Sequence, residues 1–298
     1  GEIARLSALA QPNVAVVTNA AAAHLEGFRS TEGVAHAKGE LFSGLRAGGI
    51  AVINADDAYF ALWRSMAGDR EWISFGIDND AAVSARRIES REGGVRFELQ
   101  APEGRCEIRL NLFGLHNVRN ALAAGAAALA AGASMDDVRA GLEGVSAVHG
   151  RLGMTDGCFG SRIVDDTYNA NPASLNAALE AVKAMPGRKI VVLGDMLELG
   201  PEGRALHAEA GGRMRAAGVD RLYAVGELSR AAVQAFGAGG YHFGSRDDLI
   251  AALRADLQDQ APTTVLVKGS RGMGMELVVA ALRADAAPAA GGAGRAQR

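Results

Sequence analysis

Two short runs of apolar residues, VAVVTN (14–19) and GIAVINADD (49–57), set the pattern of the first third of the chain. They are continuous rather than alternating, which predicts strands buried on both faces of a parallel sheet. Between them a helix is expected, on which Lys38 shares a face with Val34, Ala35, Leu41 and Phe42. The pattern then changes. EWISFGI, AAVSARRIES, GVRFELQ and CEIRLNL follow one another closely with turn residues between them, which predicts antiparallel hairpins. After GLHN come two helices, VRNALAAGAAALAAG and SMDDVRAGLEG.

From residue 151 strands and helices alternate. SRIVDDTY, KIVVLGDM, RLYAVGE, YHFGS and TTVLVKGS are the expected strands, separated by amphipathic segments such as SLNAALEAVKAM. Such alternation predicts a right-handed, doubly wound parallel sheet that binds ligands outside the carboxyl ends of its strands. The polar motifs DDTYNANP, GDMLELG and KGSRGMG fall at those ends. The expected fold class is therefore α/β, with a mixed-sheet domain over residues 1–150 and a doubly wound domain over 151–285. AAPAAGGAGRAQR (286–298) lacks apolar periodicity and reads as a disordered tail. The opening GEIARLSALAQPNVAVVTN reads as a helix running directly into a strand, as in the middle of a domain.

Composition narrows the functional classes. A length of 298 residues supports two domains, and a net charge of -3 with both signs scattered offers no basic stripe for a nucleic-acid backbone. ALAAGAAALAAGA (121–133) is too short for a membrane span and no signal-peptide pattern opens the sequence, so membrane insertion is not expected and a cytoplasmic protein is. Cys106 and Cys158 alone provide neither a disulfide framework nor a thiolate zinc site.

The candidate chemistry is carried by a few polar residues. Lys38, on an apolar helix face that disfavours a free ammonium, either snorkels to water, pairs with an acid or is chemically altered. His24, after an alanine run, is open to metal ligation or to a bond with a backbone group. In GLHNVRN, His116, Asn117 and Asn120 flank a helix start, where asparagine suits a purine edge and helix capping alike. Arg151 stands at the domain junction, suited to a transferring phosphoryl group or to an interdomain ion pair. In DDTYNANPAS, Asn171 and Pro172 read as a helix cap followed by proline at the first helical position. Asp165 and Asp166, at the end of a buried strand, lack such an explanation and suit ribose hydroxyls. Lys268, Ser270 and Arg271 precede a helix, as in a carboxylate site or a solvated basic turn. That segment is neither GxGxxG nor a Walker A loop, and no stretch of the sequence matches the latter.

Taken in order, TNAAAAHLEGFRSTEGVAHAKGE, NADD, GLHNVRNALAA, HGR, DDTYNANPAS, VLGDMLELG and KGSRGMGME resemble the Mur ligases from Gly1 to about Asp285. Within that family they are most similar to the members that add D-alanyl-D-alanine to UDP-N-acetylmuramoyl-tripeptide. The resemblance implies most of a central ATPase domain followed by a Rossmann-like carboxyl-terminal domain, with the amino-terminal domain and the Walker A loop lying upstream of this sequence. It implies that His24 and Lys38, the latter as a carbamate, hold magnesium. By the same carry-over Asn117 and Asn120 lie beside the adenine of ATP, Asp166 at its ribose and Arg151 at its γ-phosphate. Lys268, Ser270 and Arg271 fall in the segment receiving the dipeptide carboxylate, with Tyr168, Asn169 and Asn171 lining the same cleft. The implied reaction phosphorylates the tripeptide's terminal carboxylate, and the dipeptide amine then displaces phosphate. The substrates are thus the expected partners, the protein an expected monomer, and the sequence by itself a poor catalyst. Rival readings are a folylpolyglutamate or cyanophycin synthetase type of ligase, against which YNANP and KGSRGMG speak, and a non-catalytic nucleotide- or dipeptide-binding protein.

Overall fold

The computed structural model describes residues 1–21, 30–91, 93–146, 148–183, 185, 187–259 and 261–283. His24 and the 286–298 segment lie outside the described residues. The first sheet is formed by β1 (Val14–Val17), β2 (Ile50–Asn54), β3 (Trp72–Gly76), β4 (Val83–Arg91), β5 (Gly94–Ala101) and β6 (Gly104–Leu110), in that order. β1 to β4 are parallel, whereas β4, β5 and β6 form an antiparallel meander.

The expectation that EWISFGI belongs to a hairpin is thereby corrected. β3 pairs in parallel with both β2 and β4; the helix Phe60–Ala67 returns the chain between β2 and β3, and residues 77–82 make the crossing to β4. Ser74, Phe75 and Gly76 are buried accordingly, as a strand covered on both faces requires. One face is covered by the helix Leu115–Ala130, whose Val118, Ala121, Leu122 and Ala126 pack on Phe75, Phe97, Leu99 and Ile108. Its small residues permit close approach: a Cβ on Gly125 would lie 3.3 Å from Leu99 Cδ1. Against the opposite face Trp63, Phe42 and Ala35 pack on Ile53 and Val17.

The second sheet contains β7 (Gly153–Asp156), β8 (Arg162–Asp166), β9 (Arg188–Gly194), β10 (Arg221–Val225), β11 (Gly240–Phe243) and β12 (Thr263–Lys268). Its order is β11-β10-β9-β12-β8-β7. All neighbours are parallel except β7 and β8. The sheet is thus mixed at one edge rather than wholly parallel as expected. β7 is four residues long and without a buried position, so its sequence carries little strand signal. Helices Pro172–Lys183, Gly203–Ala216 and Ser229–Phe236 cover one face, while Arg246–Leu257 and Glu276–Leu282 cover the other. β12 lies between β8 and β9, so the carboxyl ends of these three strands open onto the point where the winding reverses. They carry DDTYNANP, GDMLELG and KGSRGMG.

Candidate functional site

The helix Thr31–Gly39 starts from Ser30, whose hydroxyl accepts the Gly33 amide at 3.0 Å. It buries Val34, Ala35, Ala37 and Gly39, and the Trp63 indole donates to Ala35 O at 2.9 Å. This anchoring sets Lys38 half-buried beyond the end of β1, where Nζ donates to Asn19 O at 2.7 Å. Burial lowers the Lys38 pKa below that of an ordinary lysine, and the Asp57 carboxylate opposes that shift. Asp57 is fixed by the Ala20 and Tyr59 amides at 2.9 and 3.0 Å, and Asn54 ties β2 to Thr18 O at 2.7 Å. The ends of β1 and β2 therefore form one polar unit. Among the described residues no cluster of three or more His, Cys, Asp or Glu is gathered there or elsewhere.

Asp56, next along, accepts three amides, from Ile77, Asp78 and Asn79, at 2.7 to 3.0 Å. Burial pushes its carboxyl up, but those amides and Arg119 outweigh it and hold the pKa below the ordinary value. Arg119 Nε lies 3.5 Å from Asp56, and its guanidinium donates to Asp78 at 2.6 Å. One turn earlier, Gly114 takes φ +88 and starts the helix Leu115–Ala130. Neither asparagine caps this helix. Asn117 donates to Phe113 O at 2.8 Å and Asn120 to Asn117 Oδ1 at 3.3 Å, leaving Asn120 on the surface. Burial lowers the His116 pKa, and the Asp166 carboxylate across the domain boundary pulls it up.

Asp166 ends β8 and pairs with Lys268 at the end of β12, 2.5 Å away. Lys268 is 1% exposed and donates also to Asn169 O at 2.8 Å. The ammonium expected to meet a carboxylate ligand is therefore already held by one from the protein. Burial lowers its pKa, Asp166 raises it, and nearby Arg151 adds to the lowering. Arg151 itself stacks over the Tyr168 ring, 4.1 Å from the centroid. Asp165 is buried and structural: it accepts the Gly150 amide at 3.2 Å and the Thr167 hydroxyl at 2.6 Å. Gly150, at φ +78, in turn accepts the Tyr168 amide at 3.0 Å, which fixes the junction. Asn171 caps the helix Pro172–Lys183 by accepting the Ser174 amide at 2.8 Å, as expected, and Asn169 accepts the Ala170 amide at 2.8 Å.

Ser270 is buried, accepting the Leu197 amide at 2.8 Å, whereas Arg271 is exposed and lies 3.6 Å from Glu276. Asn169, Asn171, Ser270 and Arg271 line a small cavity of about 120 Å³ together with Leu197 and Leu199. A larger cavity of about 820 Å³ lies between the two domains, walled by Phe113, His116, Arg119, Met154 and Ala181. Asn117, Asn120 and Asp166 do not line it, so the larger space is not where the predicted nucleotide groups converge.

Several supporting groups escaped sequence reasoning. Arg246 donates to Met273 O and Gly274 O at 2.8 and 2.9 Å, securing the far side of the KGSRGMG loop. Asp195 accepts the Leu228 and Ser229 amides at 3.2 and 2.7 Å. His207 is wholly buried and binds the Met196 amide in the loop after β9 and the carbonyl of Gly203, the first residue of its own helix. Only the last had a signal, as a polar member of the stripe Gly203, His207, Ala210 and Met214 that the helix buries.

The polar groups follow one another from the first sheet to the second. Lys38 feels Asp57, Asp56 holds Arg119, Arg119 and Asp166 both act on His116, and Asp166 holds Lys268. A mixed-sheet unit and a doubly wound unit, with polar motifs at their strand ends, define a two-unit α/β protein, and the chain belongs to the Mur ligase family. Residues 1–128 match the family model of the Mur ligase middle domain, and residues 150–271 that of the Mur ligase glutamate ligase domain.

Among individual relatives, the UDP-N-acetylmuramoyl-tripeptide--D-alanyl-D-alanine ligase of Escherichia coli (strain K12) is 44% identical over 284 residues, covering 95% of this chain and 63% of that protein. The chain thus spans a little under two thirds of that relative's length. A crystal structure of MurF from Acinetobacter baumannii superposes with a TM-score of 0.88 at 33% identity, covering 93% of this chain and 61% of that one. The MurF ligase of Thermotoga maritima, solved in complex with ADP, gives a TM-score of 0.82 at 26% identity, covering 94% and 63%.

Proposed function

We propose that this chain carries the ATP- and dipeptide-handling part of a ligase that joins D-alanyl-D-alanine to UDP-N-acetylmuramoyl-tripeptide in peptidoglycan precursor synthesis. The observation carrying this reading is the set of polar groups from Lys38 to the Asp166–Lys268 pair at the strand ends, on a fold matched along nearly its whole length by ligases named for that reaction. Residues 1–150 and 151–285 are the two working units. In this reading the protein acts as a monomer in the cytoplasm; among the described residues no helix is long and apolar enough to cross a membrane.

In the first step a carboxylate oxygen of the tripeptide takes the γ-phosphoryl group of ATP, and ADP leaves. In the second the dipeptide amine attacks the acyl carbon, the C–N bond forms, inorganic phosphate departs and the amine loses a proton. Activation matters because phosphate leaves far more readily than oxide. Arg151, released from the Tyr168 ring, supplies a permanent positive charge to the transferring group. Asp166 accepts from the ribose hydroxyls in this reading, its charge balanced from within by Lys268. Asn117 and Asn120 offer amides to the adenine edge. Asn169, Asn171, Ser270 and Arg271 line the small cavity, with Arg271 the exposed cation for the dipeptide carboxylate and Tyr168, under Arg151, adjoining in the chain.

Magnesium fits the first unit by the chemistry of its donors. Burial favours the neutral amine of Lys38, the form that adds carbon dioxide, and the resulting carbamate is an oxygen ligand of the kind magnesium takes. With His24 it would hold the ion, which when bound neutralises charge developing on the phosphates.

The test is phosphate release from ATP in the presence of magnesium and UDP-N-acetylmuramoyl-tripeptide, with and without D-alanyl-D-alanine. This chain is compared with the same chain supplemented by the part of the Escherichia coli relative that it does not span. Dipeptide-dependent release in the supplemented protein is the expected result. Tight nucleotide binding with no release in either would favour the non-catalytic rival, and a preference for a glutamyl substrate the folylpolyglutamate type.

A further inference from the structure

The loop after β9 forms one wall of the small cavity, and a buried histidine that does not line the cavity holds it. His207 lies on the helix Gly203–Ala216 and is 0% exposed. Its Nε2 accepts the Met196 amide at 2.9 Å, and its Nδ1 lies 2.6 Å from Gly203 O. A backbone N–H can only donate and a carbonyl only accept, so the ring is neutral, with its proton on Nδ1. From Met196 the connection continues outward: the next amide, Leu197, donates to Ser270 Oγ, and Ser270 N donates to Asp195 O at 3.0 Å. Glu198, two residues beyond Met196, adopts φ +61, a conformation that costs a non-glycine residue and needs anchoring on both sides.

We propose that His207 is a positioning residue: in its neutral form it latches residues 195–199 into the shape that walls the cavity, and protonation of Nε2 releases them. A proton on Nε2 replaces an acceptor with a donor aimed at the Met196 N–H. Burial opposes that proton, while Gly203 O and the Asp195 carboxylate favour it. Asp195, at the end of β9, is itself occupied by two amides from the loop before the helix Ser229–Phe236 and from its first residue. The other charged groups on the elements packed nearby are exposed or paired with one another, and Glu198 lies in the latched loop itself. Glu202, Arg204 and Arg230 are exposed, Glu209 pairs with Arg213, and Glu180 lies near Lys183. The proposal rests on the ligase reading only in treating the cavity as a ligand site.

Residue-resolved amide exchange and imidazole nitrogen spectra of this chain test the latch. In the wild-type chain at neutral pH the spectra show a His207 ring protonated on Nδ1 alone. In His207→Leu the protection of the Met196 and Leu197 amides falls about tenfold, the effect of losing one buried hydrogen bond, while Val192 in β9 keeps its protection. His207→Gln, which retains an acceptor but cannot be protonated in this range, keeps the protection. The wild-type chain loses it at Met196 only at a pH below the ordinary histidine range, because burial lowers the His207 pKa, and this readout needs no variant to fold. An Nε2-protonated ring at neutral pH, or unchanged Met196 protection in His207→Leu, overturns the proposal. In the supplemented ligase assay, His207→Leu raises the dipeptide KM with little change in kcat. Lost protection with an unmoved KM supports the latch and instead removes the cavity from the dipeptide reading.

Discussion

Replacing Asp166 by Asn isolates the ion pair between the carboxyl ends of β8 and β12. At 2.5 Å two unit charges attract by about 6–7 kcal/mol at an effective dielectric constant of about 20, before the cost of removing them from water. Lys268 is 1% exposed and the Asp166 side chain 14%, so little of that attraction is screened by solvent. Asp166→Asn leaves the ammonium buried with Asn169 O as its remaining acceptor. Breaking one partner of such a pair costs about 3–5 kcal/mol, a large part of the stability of a domain. Urea unfolding followed by circular dichroism should record this loss. Both tryptophans, Trp63 and Trp72, lie in the first domain, so their fluorescence transition serves as an internal reference that the substitution leaves in place.

The pH dependence adds a second readout. Burial holds the folded pKa of Lys268 below that of the unfolded chain, so the unfolded state binds more protons between the two values. Stability contributed by this group therefore rises with pH across that interval, up to about 10.4. Without Asp166 the folded value drops further and the interval extends to lower pH. Lys268→Met, which removes the charge, should rescue much of the Asp166→Asn loss in the double variant. A loss below about 1 kcal/mol, the range of exposed pairs, together with no coupling in that cycle, would refute the claim that the pair is buried and interdependent.

Asp256 accepts from Arg221, Arg188 and Tyr223 at 2.6, 3.2 and 2.9 Å; Asp256→Ala should cost about 3–5 kcal/mol in the second domain's unfolding. The same variant removes a carboxylate that helps raise the Tyr223 pKa to about 12, where burial is the main cause, so ultraviolet titration should show a lower phenol pKa. Gly150→Ala places a Cβ 3.0 Å from Tyr168 N at φ +78 and should destabilise by about 1–2 kcal/mol, read as a fall in the second domain's urea midpoint. Lys38, if carbamylated, should give a carbamate carbon signal with labelled carbon dioxide that grows with pH, because the neutral amine reacts, and that is missing in Lys38→Gln.

Where apolar residues run continuously the sequence announced the element: VAVVTN and KIVVLGDM hold parallel strands, and the loops after the second sheet's strands gather the polar motifs. Direction was less legible. EWISFGI is as short as a hairpin strand and is followed by hairpins, and the helix Phe60–Ala67 before it makes it parallel to β2. GMTD buries no residue, so nothing in its pattern announces that it extends the sheet at the β8 edge.

The same distinction separates the residues offered to ligand from those that aim them. Lys38, Asn171 and Asp166 stand in motifs with polar residues where an apolar pattern would continue, and that mismatch is visible in one dimension. Lys268 stood out for the same reason, yet its partner lies 102 positions away, so sequence could not show that its charge is satisfied from within. Arg246 and His207 act on loops belonging to other segments, reaching Met273 O and the Met196 amide through contacts that exist only once the sheet has wound. Loops that must receive a ligand cannot bury much apolar surface of their own, so their shape depends on hydrogen bonds from the helices behind them. Substitutions at those helix positions should therefore alter the site while leaving every proposed contact residue in place.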